Sequence, residues 1–292
     1  MIQERAYAKI NLGLEVGPLR QDGYHEMNTI MVPIDLYDEL TFDFKEEEGI
    51  LLIDNTNINT EDNFVYKAAT LFMSELHLEK GIVITLKKNI PSEAGLGGGS
   101  ADAAATLRGL NRLFRLDMSL AELANMAKKL GSDMPFCVYQ TLAYCTGRGE
   151  EVEVLDIPYK RLDVAIIKPP YGLSTKEVYD GYSLGTINVH KEQFEGIKEG
   201  LVKGDLKLLN ENIFNDLEES AFNLKPNLQL LALKIKDMGF VCGMSGSGTA
   251  LFAIGDSHEL HKMAQEIKYH RIYIGKSVSY THLRAHETLS DL

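Results

Sequence analysis

The chain has 292 residues, 45% hydrophobic and 25% charged, with a formal net charge of −12. That length exceeds what one core usually organises and predicts two domains. The charge argues against nucleic acid as a partner, and an anionic ligand would need a local cationic pocket.

No apolar run approaches the roughly 18 residues of a membrane helix, and the opening MIQERAYAKINL lacks the apolar centre of a signal peptide. The three cysteines, Cys137, Cys145 and Cys242, lack metal-ligand spacing and fit small buried thiols in a reducing cytoplasm. Ile10, Leu12, Leu14 and Val16 alternate with other residues, which predicts a strand with one buried face. The opposite face then carries Tyr7, Lys9 and Asn11. After a turn at Gln21-Asp22-Gly23, residues 25–34 and 40–45 read as two further strands. Residues 63–76 read as an amphipathic helix and 81–87 as a strand. That strand runs into PSEAGLGGGSADAAATL, residues 91–107.

Ser100 is placed to cap the helix that follows, with Ala103, Leu107, Leu110 and Phe114 on one stripe. Ser119 and Glu122 form a capping box for another helix, which Gly131 should close. Beyond SDMPFCVY comes a β-rich run to Glu153. The second half reads as a strand at 162–168, two or three helices between Ser174 and Gly239, strands at 240–244 and 249–254 about a Ser-Gly-Ser-Gly turn, a helix at 257–267 and a strand at 271–278. The domains expected are 1–155 and 156–278. The remainder, 279–292, carries no apolar stripe and reads as a disordered or non-native tail; His282 and His286 are four apart but lie in this tail.

A strand, a glycine loop and a helix start together form a phosphate-binding arrangement. Successive N–H groups make an anion nest, and the helix start adds free donors. No Lys-Ser or Lys-Thr follows the glycines, so this is not a Walker A loop; position 100 is Ser, so it is not a dinucleotide fingerprint either. PSEAGLGGGSADAAA resembles the central glycine motif of the GHMP kinases. GMSGSGTALFA, residues 243–253, resembles that family's C-terminal glycine motif, and AYAKINLGLEV, residues 6–16, its first motif. Order and spacing agree across residues 1–278.

This resemblance implies an α+β fold: an N-terminal domain like the second domain of ribosomal protein S5 and a ferredoxin-like C-terminal domain. It implies an ATP-dependent kinase acting on a small alcohol, with Mg2+. Ala8-Lys9-Ile10-Asn11-Leu12, Asp22-Gly23-Tyr24-His25 and Leu130-Gly131-Ser132-Asp133-Met134-Pro135-Phe136 are similar to one branch of the family. That branch phosphorylates the 2-hydroxyl of a cytidine diphosphate-linked methylerythritol, in the non-mevalonate route to isoprenoids. The sequence leaves two alternatives standing: another acceptor of the homoserine or mevalonate type, or a non-catalytic nucleotide-binding relative.

The resemblance implies that ATP lies along Pro91, Ser92, Glu93, Ala94, Gly95, Leu96, Gly97, Gly98, Gly99, Ser100 and Ala101, with Asn63 at the adenine; Asn63 alone reads as an N-cap. Asp133 alone reads as a helix cap, and the resemblance makes it the general base. Lys9 alone reads as a solvated strand lysine. The resemblance places it with Asn11 at the acceptor, where its charge would stabilise a developing alkoxide. Tyr24 and His25, alone a surface hairpin pair, are implied to read the cytosine, with Tyr179 as a second aromatic wall and Thr175 as a hydroxyl. Ser245 and Gly246 fit a hairpin turn, a substrate-side glycine loop, or both. No metal ligand and no oligomeric state follow from the sequence.

Overall fold

Strand β1, Ile2–Leu19, opens the chain in the computed structural model, which describes residues 1–182, 189–268 and 270–278. The tail expected at 279–292 lies outside the described residues. The chain then forms β2 (His25–Phe44), β3 (Ile50–Asp54), α1 (Phe64–Glu75), β4 (Ile82–Lys87), α2 (Gly98–Phe114), α3 (Leu120–Ala127), α4 (Met134–Tyr139), β5 (Ala143–Thr146) and β6 (Glu151–Val154). There follow β7 (Asp163–Lys168), α5 (Thr175–Asp180), α6 (Lys191–Lys203), α7 (Leu206–Asn212), β8 (Phe214–Asn215), α8 (Glu218–Leu224), α9 (Pro226–Asp237), β9 (Val241–Met244), β10 (Leu251–Ile254), α10 (Ser257–Glu266) and β11 (Arg271–Lys276).

These elements form two compact units. The first takes Met1–Ala8, Leu36–Ile90 and Gly97–Gln140; the second takes Lys9–Asp35, Pro91–Leu96 and what is described from Thr141 onward. In the first unit β2 pairs antiparallel with β4, Glu39 opposite Lys87 through Phe44 opposite Ile82, and β4 runs parallel to β3. Phe42 of β2 is fully buried, and a Cβ on Gly109 of α2 would sit 2.3 Å from its ring, so only glycine fits there without a shift. Between Ala101 and Leu110 every α2 residue except Arg108 is buried. The expected single stripe is therefore too narrow: small alanines let neighbours close around most of the helix.

The second unit contains β7, then helices ending in α9, then β9, β10, α10 and β11. Its sheet has the order β11-β7-β10-β9 with every neighbouring pair antiparallel. That is the β-α-β-β-α-β ferredoxin-like arrangement. Leu228, Leu231 and Ile235 of α9 and Leu260 and Met263 of α10 share a core with Ala165, Ile167, Leu251 and Ala253. Each fully buried side chain of this size contributes about 1.5–3 kcal/mol. In the same unit β1 runs parallel to β8, Gly13 opposite Phe214, and Thr29 to Met31 of β2 pair with β5.

Several local expectations are corrected. Residues 25–44 are one strand, not two: Leu36, Asp38, Leu40 and Phe42 are buried alternately, and Asp38 in this series reads falsely as a break. Both faces of β1 are buried from Ala6 to Gly17, not one. The cap of α2 is Gly97, in the left-handed region at φ 67°, not Ser100. The Ser119–Glu122 capping box forms, but α3 ends at Lys128, short of Gly131. Residues 134–139 are a short helix, with Pro135 in its first turn.

Candidate active site

Strand β1 carries Lys9 and Asn11 on one face, and both are buried. Lys9 is 3% exposed, so it is not a solvated strand lysine. Its Nζ donates to Asn11 Oδ1 at 2.7 Å. The same oxygen accepts the Gly246 N–H at 3.0 Å, and Asn11 Nδ2 donates to Thr29 Oγ1 at 2.9 Å. Thr29 in turn donates to the Gly13 carbonyl at 2.7 Å. Two donors on Oδ1 and an acceptor facing Nδ2 fix the amide's orientation. Asn11 thereby ties the lysine to the turn between β9 and β10. From the other side Asn215 Nδ2 donates to the carbonyls of Met244 and Gly246, 2.8 Å each.

That turn closes a hairpin, with Ser245 N–H on the Ala250 carbonyl at 3.0 Å and Leu251 opposite Met244. It also packs against the 93–95 stretch of the first glycine loop. Ser245 Oγ donates to Gly95 O at 2.9 Å, and Ala250 N–H donates to Ala94 O at 3.1 Å. A Cβ on Gly95, whose φ is 71°, would lie 1.9 Å from the Ser245 carbonyl oxygen. The approach of the two backbones therefore requires glycine. The hairpin-turn reading of Ser245 and Gly246 holds, and the turn packs against the first loop. The Lys9 N–H also donates to Leu96 O at 3.0 Å.

Three aromatic rings gather in the second unit. The rings of His25 and Tyr179 are 5.5 Å apart, and Tyr182 meets His25 edge-on at 6.2 Å. His25 Nδ1 lies 2.8 Å from Gly17 O; a carbonyl only accepts, so Nδ1 carries the proton and Nε2 is left as an acceptor in the neutral ring. The Tyr182 hydroxyl donates to Val16 O at 2.8 Å, and burial, with Asp216 nearby, pushes its ionisation up to about 12. Tyr24 stands apart from this cluster, 52% exposed beneath the Arg148 guanidinium. Thr175 Oγ1 and Ser247 Oγ are 3.0 Å apart.

In the first unit, α2 begins within the glycine loop, so its unpaired first-turn N–H groups belong to residues 98–100. Asn63 caps α1, its Oδ1 accepting from Val65 N–H at 2.9 Å and its Nδ2 donating to Asp54 at 3.1 Å. Asp133 stands half-buried just ahead of α4, and its side chain makes no cap hydrogen bond. It does hold the N-cap position, with its carbonyl accepting the Cys137 N–H at 3.3 Å.

One cluster escaped the sequence reading. Lys88, just past β4, donates to Asp38 and, at 2.7 Å, to Asp102 of α2. Asp38 Oδ1 also accepts the N–H groups of Asn89 and Ile90. The available signal was a charged residue in an alanine run and another in a strand alternation, both at positions that should face a core. Thr29, Asn215 and Ser247 were missed as well, since their roles exist only across long chain separations.

Residues 63–141 match the GHMP kinases N terminal domain and residues 197–271 match GHMP kinases C terminal. The chain is 37% identical over 279 residues to the 4-diphosphocytidyl-2-C-methyl-D-erythritol kinase of Clostridium tetani, spanning 94% of this chain and 99% of that protein. It is 40% identical over 257 residues to the enzyme of the same name from Macrococcus caseolyticus, spanning 87% and 90%. A crystal structure of 4-(cytidine 5'-diphospho)-2C-methyl-D-erythritol kinase superposes with a TM-score of 0.80 at 30% identity, over 94% of this chain and 99% of that one. Homoserine kinase from Cytophaga hutchinsonii shares the fold at a TM-score of 0.74 and 19% identity.

Proposed function

Because this chain belongs to the GHMP kinase family, we propose that it is the ATP-dependent kinase that phosphorylates the 2-hydroxyl of 4-diphosphocytidyl-2-C-methyl-D-erythritol, a step in isoprenoid precursor synthesis. The observation that carries this reading is identity of 37–40% to kinases of that name along about nine-tenths of the chain. Likeness to homoserine kinase is far lower in sequence and extends to the fold alone.

Bound ATP supplies the phosphoryl group. The glycine loop would cradle its phosphates on backbone N–H groups, and the start of α2 would add donors and the positive end of a dipole. Asp133 would take the proton of the acceptor hydroxyl, and Lys9, held by Asn11, would stabilise the oxygen as charge develops. His25 and Tyr179 would hold the cytosine. The Nε2 acceptor of His25 suits an exocyclic amine and disfavours a carbonyl in its place, so cytidine should be preferred to uridine. Mg2+ would accompany the nucleotide. Among the described residues no group of three His, Cys, Asp or Glu side chains could hold a metal ion, so phosphate oxygens would supply much of its coordination. A cytoplasmic setting accords with three buried cysteines that form no disulfide among the described residues.

The test is ADP release against a panel of small alcohols that includes the cytidine-linked substrate. Turnover with that compound alone is expected, and equal turnover with homoserine or mevalonate would overturn the assignment. CDP should bind by itself, more tightly than UDP, and His25→Ala should weaken CDP at least tenfold while leaving ATP affinity nearly unchanged; calorimetry reads both.

A further inference from the structure

The Asp38–Lys88–Asp102 cluster holds one ammonium between two carboxylates, and both aspartate side chains are at most 5% exposed. Their hydrogen bonds are unequal. Asp38 receives Lys88 and two backbone N–H groups. Asp102 receives Lys88 on Oδ2 alone, and its buried Oδ1 has no partner among the described residues. A second negative charge in such a place is costly, because the buried Oδ1 receives no donor from the described residues. The proton therefore belongs on Asp102. Burial pushes its carboxyl up to about 8, Lys88 opposing and Asp38 reinforcing the shift.

The cluster lies beside the opening turn of α2. A Cβ on Gly98 would be 3.2 Å from Lys88 Nζ. No lysine follows the glycines in sequence, yet an ammonium stands at the first residue of the helix.

We propose that Asp102 is a proton-linked positioning residue of the nucleotide site: protonated, it leaves the cluster neutral and the helix start open to an anion; ionised, it makes the cluster net negative and repels one. This rests on the nucleotide reading given above. The other charged groups on elements packed against α2 are turned to other partners. Lys67 of α1 faces Asp62 and the Phe64 ring, Glu122 of α3 closes its own capping box, and Arg108 of α2 pairs with Glu4. Helix α4 carries no charge, and Asp133 precedes it.

The experiment is ADP affinity by calorimetry from pH 7.5 to 9.5, where the terminal phosphate of ADP is already largely ionised. Charges about 10 Å apart at an effective dielectric of about 20 change an equilibrium on the order of tenfold. Wild-type affinity should fall by about that factor as pH rises through 8. Asp102→Asn, which keeps the shape and cannot ionise, should hold the low-pH affinity throughout. A flat wild-type profile overturns the proposal without any variant, and so does an Asp102→Asn profile parallel to a sloping wild type. Absence of ADP binding at every pH overturns it together with the nucleotide reading; a flat profile leaves that reading intact.

Discussion

Asp133→Asn keeps size and most hydrogen bonding and removes basicity. If Asp133 accepts the hydroxyl proton, single-turnover phosphorylation should fall about 10²–10⁴-fold with nucleotide affinity kept. Lys9→Met should likewise cost turnover first, because the charge matters most as the alkoxide forms. If the two serve one proton transfer, the double variant should lose far less than the product of the single losses. Near-normal turnover in Asp133→Asn would leave positioning alone as the source of catalysis. Asp102 carries a separate prediction for stability. Its folded-state proton is lost near pH 8, whereas an ordinary aspartate loses it near 4. Between those values the folded state binds more protons than the unfolded one, so stability falls as pH rises. Thermal unfolding from pH 5 to 9 should show that decline in the wild type and a shallower one in Asp102→Asn.

The loop that opens α2 is where local structure and binding are hardest to separate. Gly98→Val puts a branched side chain 3.0 Å from Ile90 and 3.2 Å from the Lys88 ammonium, where the first helical N–H must stay open to a ligand. Binding of a non-hydrolysable ATP analogue should weaken at least tenfold in a variant that still unfolds cooperatively; unchanged affinity would remove the loop as the phosphate cradle. The elements most legible in the sequence were those with local causes. The Ser119 capping box, the Asn63 helix start and the alternation in β4 needed only neighbours. The order of the ferredoxin-like strands followed from recognised glycine motifs rather than from periodicity. What was lost depended on distant partners. Asp38 looks like the end of a strand until Lys88, 50 residues on, accounts for its burial. Lys9 looks solvated until Asn11 and Gly246 enclose it. Residues 134–139 were hidden because a six-residue helix is too short to show a period.

The molecule as a whole carries −12, and both proposed substrates are anions. Its general field should slow their approach, leaving capture to short-range donors. Salt screens such a field within about 8 Å at physiological strength. The association rate of ADP should therefore rise as ionic strength increases from about 10 to 150 mM, as stopped-flow mixing can measure. A falling rate would mean that a local cationic funnel governs encounter instead. The tie between Asn11 and Gly246 has a different consequence, in time rather than energy. The two residues are 235 positions apart. At ribosomal speeds of about 5–20 residues per second, the strand bearing Lys9 leaves the exit tunnel on the order of 10–50 s before the turn that will cover it. The chain must carry its first motif, charge and all, without that tie until the turn 235 residues further on has been made.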